Sequence, residues 1–245
     1  MKIMDGLYLV GSGAMGLSYA FDCHVYAVDC GNTLIMIDSG AGESPELILS
    51  NMEKDGLDPR RVSALLLTHS HLDHAGGAAF FRASLGCRVY VANEEKEILE
   101  KGTEESTGLM AAKRSGLYSP DYPVRHCIAD VVLYGGERLL LGNLQYIVYL
   151  ICSHSTGSMC YLVEIPGVGR ALFTGDVVFS DGLISVLNIE GSSLTGYRRN
   201  LVALSGLAVD ALMPGHGLFT TSGGQRHIDI AIESLGLLRP PRNIY

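Results

Sequence analysis

The stretch Thr68-His69-Ser70-His71-Leu72-Asp73-His74 directly follows an apolar run and decides the fold. It places three histidines and one carboxylate within positions 69 to 74. If the extended geometry of the preceding run continues, His69 and His71 point the same way, because side chains alternate along a strand. Asp73 and His74 follow as the chain turns into a predicted helix. Two ligand groups that point in different directions suit two adjacent metal ions.

Three more potential ligands stand in the same kind of position, just past an apolar run of strand length. They are His154 after Leu144–Ile151, Asp176 after Ala171–Phe173, and His216 after Ala211–Met213. Open α/β sheets place their sites beyond the carboxyl ends of their strands. This recurrence predicts that all seven side chains serve one site.

The rest of the chain alternates between strand-like and helix-like segments. Short apolar runs bounded by turn residues predict further strands at Leu7–Val10, Thr33–Ile37, Val62–Leu67, Arg88–Val91 and Tyr161–Ile165. Predicted helices are Pro45–Asp55, Ala75–Leu85, Glu94–Lys101, Leu109–Ser115, Tyr197–Leu207 and Gln225–Leu238. Interleaved strands and helices indicate an α/β or layered α+β class. Because no repeat or linker divides the chain, we expect a single domain over residues 1–245.

Composition excludes several classes of protein. The 245 residues are 47% hydrophobic and include 30 glycines, which excludes collagen, coiled coils and disordered chains. The formal net charge is −8, and the longest basic clusters are the pairs Arg60-Arg61 and Arg198-Arg199. An acidic chain without a basic stripe is a poor partner for a phosphate backbone. We therefore expect a small-molecule substrate and no nucleic acid.

Cysteine usage and hydropathy favour a cytoplasmic protein. None of the six cysteines forms a Cys-x-x-Cys pair, and a chain of this length needs no disulfide framework. The uncharged stretch Gly6–Phe21 is a poor signal peptide, since Asp5 precedes it and glycines interrupt it. No uncharged apolar run reaches the roughly 18 residues of a membrane span. We expect buried, reduced thiols and no membrane association, while the oligomeric state stays open.

A glycine-rich segment near the start offers an alternative interpretation. Gly11-Ser12-Gly13-Ala14-Met15-Gly16 matches the dinucleotide-binding pattern G-x-G-x-x-G, and Asp38 lies where a ribose-binding acid would stand. That interpretation needs a helix that opens at the third glycine. Val25–Val28 predicts a strand instead, so a glycine-rich turn explains the segment as well. Such a loop could act as a flap over the site.

The order and spacing of the motifs resemble the metallo-β-lactamase superfamily over most of the chain. His-x-His-x-Asp-His at 69–74, Thr174-Gly175-Asp176 and Pro214-Gly215-His216-Gly217 occur in the family's order. Ile37-Asp38-Ser39-Gly40 matches the family's buried Asp-x-Gly at a strand end. The extension Ala75-Gly76-Gly77 is most similar to the glyoxalase II-like hydrolases. This resemblance implies a four-layered αββα sandwich with a two-metal site at one edge.

The resemblance also implies how the ligands are shared. One ion would be held by His69, His71 and His154, the other by Asp73, His74 and His216, and Asp176 would bridge them. Nitrogen and oxygen donors of this kind suit Zn²⁺, although iron or manganese can occupy such sites. The carboxylate of Asp73 would also act in catalysis, by orienting the nucleophile or accepting its proton.

These observations predict a metal-dependent hydrolase that attacks an acyl bond with a metal-bridging hydroxide. A thioester is the first substrate class, and a lactone or other ester is the next. The alternative is a one-iron oxygenase of the persulfide dioxygenase type, which would use His69, His71 or His154, and Asp176. A non-catalytic binding module would have lost ligands, and a nuclease is disfavoured by the acidic charge.

Three parts of the chain fall outside the family's pattern. The usual Pro-Gly-His-Thr-Pro-Gly is here Cys152-Ser153-His154-Ser155-Thr156-Gly157, which lacks both prolines and the first glycine. The long connection Gly102–Pro123 could be a lid, and we predict that its Tyr118 and Tyr122 line the substrate pocket. Three histidines match no motif position and are interpreted as ordinary: His24, His126 and His227.

Overall fold

The computed structural model describes residues 1–237 and 240–244. The chain divides into two compact units, of which the first comprises Met1–Leu133 with Leu141–Asn143 and the second the remaining described residues. Each unit is built around one β-sheet with its own helices.

The sheet of the first unit has seven strands that lie in chain order. They are β1 (Lys2–Met4), β2 (Leu7–Gly11), β3 (Val25–Asp29), β4 (Leu34–Ile37), β5 (Val62–Leu66), β6 (Arg88–Ala92) and β7 (Val131–Leu133). Strands β1 to β4 are antiparallel to their neighbours, whereas β4 to β7 are parallel. Parallel neighbours need crossover connections, and these carry the helices of the unit.

Those helices are α1 (Pro45–Lys54), α2 (Leu72–Ala75), α3 (Ala78–Leu85), α4 (Lys96–Lys101) and α5 (Leu109–Arg114). The helix α1 buries Ile48 and Met52, which lie one turn apart and so share one face. Phe81 of α3 joins them in the core of this unit, together with the buried face of the sheet. The core fixes β4 and β5 side by side, and the residues that follow these strands carry the predicted ligands of this unit.

The second unit has a five-stranded sheet in the order β12-β11-β10-β9-β8. Its strands are β8 (Arg138–Leu141), β9 (Leu144–Leu150), β10 (Met159–Ile165), β11 (Gly169–Gly175) and β12 (Ala211–Pro214), and its helices are α6 (Leu194–Asn200) and α7 (Gly224–Gly236). Strand β10 is antiparallel to both β9 and β11, and β12 is parallel to β11. Strands β9, β11 and β12 therefore end at the same edge of the sheet.

Every strand predicted from an apolar run is confirmed, with small changes at its ends. Three strands were missed, namely β1, β7 and β8, because each is too short to show a period. The prediction of one helix over Ala75–Leu85 is wrong, since the chain forms α2 and α3 with a break at Gly76 and Gly77. Helices α4 and α6 are also shorter than predicted, because a 3₁₀ turn replaces the first or last turn. Leu238, the last residue of the predicted final helix, lies outside the described residues.

The break between α2 and α3 is explained by a close approach of two backbone segments. A Cβ atom on Gly77 would overlap the carbonyl oxygen of Ser39, and one on Gly76 would overlap that of Ala41. These two carbonyls belong to the turn that follows β4. Because these two positions are glycines, α2, which carries Asp73 and His74, can pack directly against this turn.

We expect Gly77→Ala to lower the free energy of unfolding by about 2–3 kcal/mol, because the added methyl group meets backbone that cannot move aside cheaply. Urea unfolding of the metal-free protein measures this. Gly236→Ala is the matched control, since nothing lies within 4 Å of a Cβ at that position. Equal stability of the two variants would contradict the explanation.

None of the helices in the described part of the chain combines the length and the apolar character that crossing a bilayer requires. None of the six cysteines, all of which lie in the described residues, forms a disulfide, and all but the half-buried Cys152 are buried. The expectation of buried thiols is thus confirmed for five of the six.

Candidate metal centre

In the first unit, the ends of β4 and β5 bring two distant sequence motifs together. The strands are parallel, with Ile37 opposite Leu66, so Asp38 follows one strand where the His69–His74 stretch follows the other. The amide of Asp38 donates to the carbonyl of Leu66 at 3.0 Å. The strand-end Asp-x-Gly motif and the histidine motif are therefore neighbours.

Asp38 is buried, with 1% of its surface exposed. Its Oδ1 accepts a hydrogen bond from the Thr68 amide at 2.7 Å, and its Oδ2 accepts from the Thr68 hydroxyl and from His74 Nδ1, both at 2.8 Å. Because a carboxylate only accepts, His74 carries its proton on Nδ1 and keeps the lone pair of Nε2 for a metal. This confirms Asp38 as a buried positioning group.

The same network sets the ring of His69. The hydroxyl of Thr68 gives its proton to Asp38, so it accepts from His69 Nδ1, which lies 3.0 Å away. The lone pair of His69 is thus on Nε2. The ring centroid of His69 lies 4.5 Å from that of His71 and 4.1 Å from that of His74. The structure therefore brings the three histidines together in this unit, as the sequence predicts.

Asp73 lies at the start of α2 and is more accessible than the histidines beside it. Its side chain is 26% exposed, and its Oδ2 lies 3.6 Å from His74 Nε2. His71 is also half-buried. His71 and Asp73 are therefore the solvent-accessible members of this group.

One residue that supports the histidine stretch was not found from the sequence. Glu95 is buried, and its Oε2 accepts from the amide of Ser70 at 3.1 Å. The Ser70 hydroxyl donates to the Glu95 carbonyl at 3.3 Å. Glu95 lies in a 3₁₀ turn just after β6, so it reaches across from the neighbouring strand. In the sequence it looked like one of several charges on a helix.

In the second unit, Asp176 lies between two histidines. His154, Asp176 and His216 follow β9, β11 and β12, whose ends share one edge of the sheet. The Oδ2 of Asp176 lies 3.7 Å from His154 Nε2, and its Oδ1 lies 3.7 Å from His216 Nε2. Each carboxylate oxygen thus faces a different histidine, which is the arrangement that a bridging ligand needs. The side chain of His216 is 21% exposed, whereas His154 and Asp176 are buried.

The ring of His154 is oriented from behind by residues that were not found from the sequence. Its Nδ1 donates to the carbonyl of Ser185 at 2.9 Å, so its Nε2 carries the lone pair. The hydroxyl of Tyr197 lies 3.0 Å from that carbonyl and 3.1 Å from the carbonyl of Asp176. Tyr197 is fully buried, and burial raises the pKa of its hydroxyl, which keeps it a donor.

The loop that carries His154 closes without the family's prolines. The Ser155 amide donates to the Ser158 hydroxyl at 3.1 Å, and the two serine hydroxyls lie 2.8 Å apart. The Ser153 hydroxyl donates to the Ile151 carbonyl at 3.0 Å, and the Asn200 side chain donates to the Cys152 carbonyl at 2.6 Å. Hydrogen bonds from serine and asparagine therefore hold this turn where proline would restrict it.

The spacing of the donor atoms within each unit fits a metal. Three nitrogen-to-oxygen distances, His74 to Asp73, His154 to Asp176 and His216 to Asp176, are 3.6–3.7 Å. These are too long for good hydrogen bonds. Two ligand atoms that each lie roughly 2.0–2.2 Å from one tetrahedral zinc ion are about 3.4 Å apart. The residues present thus fit a metal by type, by ring orientation and by spacing.

A second group of possible ligands in the first unit has another role. Cys23, Asp38 and His74 have donor atoms close enough to share an ion. However, Asp38 already accepts from His74 Nδ1, and burial raises the pKa of the Cys23 thiol to about 12. A thiol is a poor ligand compared with a thiolate. This group is better described as support behind His74.

The dinucleotide alternative does not fit the structure. No helix opens at Gly16, and the chain continues as a loop to β3, which confirms the predicted strand. Both oxygens of Asp38 are engaged by Thr68 and His74, so this residue offers nothing to a ribose. The loop is closed by its own backbone, with Leu17 donating to Ser12 at 2.9 Å.

The three histidines outside the motifs each make a hydrogen bond to a residue that is not one of the predicted ligands. His24 Nδ1 lies 2.9 Å from the Ser12 hydroxyl, and His126 Nε2 donates to the Gly102 carbonyl at 2.8 Å. His227 Nδ1 accepts from the Asp181 amide at 2.8 Å.

Comparison with known proteins supports this description. The family model described as "Metallo-beta-lactamase superfamily" matches residues 19–216. The bovine protein named acyl-coenzyme A thioesterase MBLAC2 is 30% identical over 214 residues, which cover 80% of this chain and 73% of that protein. The hydroxyacylglutathione hydrolase GloC of Haemophilus influenzae is 29% identical over 196 residues, which cover 78% of this chain and 83% of that protein.

Solved structures agree on the fold. The native FEZ-1 metallo-β-lactamase from Legionella gormanii superposes with a TM-score of 0.73 at 21% identity, covering 96% of this chain and 93% of that one. The predicted fold class is thereby confirmed as a mixed α/β fold with two sheets and helices. By its motifs, its fold and the match of the family model, the chain belongs to the metallo-β-lactamase superfamily and has that family's hydrolase fold, with clustered histidine and aspartate side chains that can bind metal.

Proposed function

We propose that this protein is a metal-dependent hydrolase that cleaves thioesters, and that residues 1–245 work as one domain. The observation that carries the proposal is the complete donor set. All seven predicted ligands are present, and His69, His74 and His154 each have Nδ1 engaged by a neighbour, so that Nε2 is presented to a metal.

The ligand sharing that we propose follows the family resemblance. His69, His71 and His154 would hold one divalent ion, Asp73, His74 and His216 would hold the other, and Asp176 would be a ligand common to both. The way in which Asp176 faces two histidines with separate oxygens supports this assignment. Zinc suits the nitrogen-rich donor set best, although iron and manganese also accept it. When bound, such a pair of ions lowers the pKa of a shared water and polarises a carbonyl group.

The side chains of the protein supply the rest of the chemistry. Asp73 is half-buried at the accessible side of the first unit's ligands, where it can orient the attacking water and hold its proton at a carboxylate oxygen. Asp38 and Ser185 keep the histidine rings from rotating, so that the ligand geometry is set before substrate arrives. No nucleophilic serine or cysteine is needed.

A thioester is the substrate class that we favour, ahead of a lactone or another ester. Relatives named acyl-coenzyme A thioesterase and hydroxyacylglutathione hydrolase, at about 30% identity, support it. The acidic charge of −8 supports a small-molecule substrate over nucleic acid. Six cysteines without a disulfide support a reducing compartment such as the cytoplasm.

The one-iron oxygenase remains the competing function. It would leave Asp73, His74 and His216 without a ligand role, yet Asp38 orients His74 as firmly as Thr68 orients His69. His74, which only the two-metal site would use, is thus oriented for metal binding in the same way as His69. This favours the hydrolase.

Metal counting and a substrate panel test the proposal together. We expect protein purified without chelator to hold two zinc ions per chain by plasma mass spectrometry, and to cleave thioesters faster than lactones or phosphodiesters. Removal of the metal with a chelator should abolish cleavage, and zinc should restore it. One iron per chain with oxygen consumption would support the oxygenase, and protein without any transition metal would refute both functions.

A further inference from the structure

Four aromatic side chains of the first unit form a row of touching rings. Tyr19 and Phe21 have ring centroids 5.6 Å apart, Phe21 and Tyr118 5.1 Å, and Tyr118 and Tyr122 4.7 Å. These four residues are called the aromatic row below. Tyr19 and Phe21 come from the loop before β3, and the two tyrosines come from the long connection after α5, so the row exists only in the folded chain.

One end of the aromatic row packs against the metal-ligand stretch. Tyr118 and Tyr122 share a buried apolar cluster with Leu72, which lies between the ligands His71 and Asp73 in the sequence. Burial raises the pKa of the Tyr118 hydroxyl, so this ring stays uncharged beside the ligand stretch.

Hydrogen bonds hold both ends of the row in place. The amide of Cys23, two residues after Phe21, donates to the carbonyl of Asp73 at 3.3 Å. The carboxylate of Asp22 accepts from the Ala41 amide at 2.7 Å and from the Tyr19 amide at 3.1 Å. The Tyr122 hydroxyl donates to the Ala41 carbonyl at 2.5 Å. The rings are therefore held at a constant place relative to the ligands.

The other end of the aromatic row reaches the surface. Phe21 is 36% exposed, whereas Tyr118 and Tyr122 are 9% and 6% exposed. Tyr19 is half-buried. The exposed part of the Phe21 ring is apolar surface in contact with water. A bound apolar group would cover this surface, which is favourable. The row thus connects a partly exposed ring, that of Phe21, through Tyr118 to the buried cluster that contains Leu72.

We infer that the aromatic row is the acyl subsite of the enzyme and binds the hydrocarbon chain of a thioester, with Phe21 as a specificity-determining residue. This inference rests on the proposed thioester hydrolysis and adds the class of acyl group. The acyl chain is bonded directly to the reacting carbonyl, so it must leave the metal centre along a surface next to the ligands. Uncharged rings favour an aliphatic chain over a polar acyl group.

The test compares acetyl-CoA with decanoyl-CoA, which carry the same leaving group and differ only in the acyl chain. We expect wild-type kcat/KM to be higher for decanoyl-CoA. In Phe21→Ala, kcat/KM for decanoyl-CoA should fall about tenfold, as is typical for lost apolar contact in a pocket, while that for acetyl-CoA should change less than about twofold. Phe21→Leu should restore most of the preference. Phe80→Ala is the control, because Phe80 stacks on Phe81 at 5.3 Å outside the row.

Binding gives a readout that does not depend on turnover. The S-decyl thioether of CoA should bind metal-free wild type about tenfold more tightly than metal-free Phe21→Ala by calorimetry, whereas the S-ethyl thioether should not distinguish them. Equal losses for both chain lengths in Phe21→Ala, or no chain-length preference in wild type, would overturn the subsite while leaving the thioesterase intact. Failure of metal-loaded wild type to cleave any thioester would overturn the proposed function, and the subsite with it.

Discussion

Asp176→Ala is expected to lower kcat/KM for a thioester about a thousandfold or more and to reduce the metal content by at least one ion per chain. The carboxylate oxygens of Asp176 face His154 and His216 at 3.7 Å each. In the proposed assignment Asp176 would be a ligand of both ions, so its removal would affect both, and the lowered pKa of a bound water would depend on the pair. Plasma mass spectrometry after dialysis and steady-state kinetics measure the two effects.

The same substitution should leave the metal-free fold nearly intact. The hydrogen bond from Tyr197 goes to the backbone carbonyl of Asp176, which alanine retains. Asp181→Asn is the matched control, because that side chain is 75% exposed on the turn that follows and asparagine tolerates the positive φ of 58° found there. Full metal content in Asp176→Ala, with activity within tenfold of wild type, would show that Asp176 does not bridge.

Asp38→Ala is expected to cost about 3–5 kcal/mol of unfolding free energy in the metal-free protein. The substitution removes the acceptor of three buried hydrogen bonds, from the Thr68 amide, the Thr68 hydroxyl and His74 Nδ1. Leaving buried donors without an acceptor is far more costly than losing an exposed pair. Asp38 also has a φ of 60°, which alanine adopts poorly. Urea unfolding measures the loss.

Asp38→Asn separates the electrostatic role from the structural one. Asparagine tolerates the backbone conformation. Its side chain has only one acceptor oxygen and no charge, so it cannot replace both carboxylate oxygens toward Thr68 and His74. We expect a smaller loss of stability and a metal affinity lowered about 10- to 100-fold, as for other groups that orient a metal-binding histidine. Asp29→Ala is the control, since that carboxylate pairs with Arg61 at 2.7 Å near the surface and should contribute less than about 1 kcal/mol. If Asp38→Ala were as mild as Asp29→Ala, Asp38 would not be the support of His74.

The candidate ligands could be found from the sequence because each histidine or aspartate lies just after an apolar run that predicts a strand. An apolar run predicts a strand without knowledge of its neighbours, and the residue after it lies at the sheet edge whatever the rest of the chain does. That is why His154, Asp176 and His216 could be recognised although they are far apart in the chain. Helix ends were predicted less well, since the break at Gly76 and Gly77 depends on the carbonyls of Ser39 and Ala41.

By itself, the sequence determined the types of ligand, their order and the class of fold, because these depend on residue chemistry and short-range periodicity. Only the tertiary structure decided which ring nitrogen His69, His74 and His154 offer. The residues that support the ligand segments, Asp38, Glu95, Ser185 and Tyr197, reach them from neighbouring elements. The aromatic row depends on the fold in the same way. Tyr118 and Phe21 are neighbours because the fold brings the loop before β3 and the connection after α5 together, and no local pattern in either segment encodes that contact.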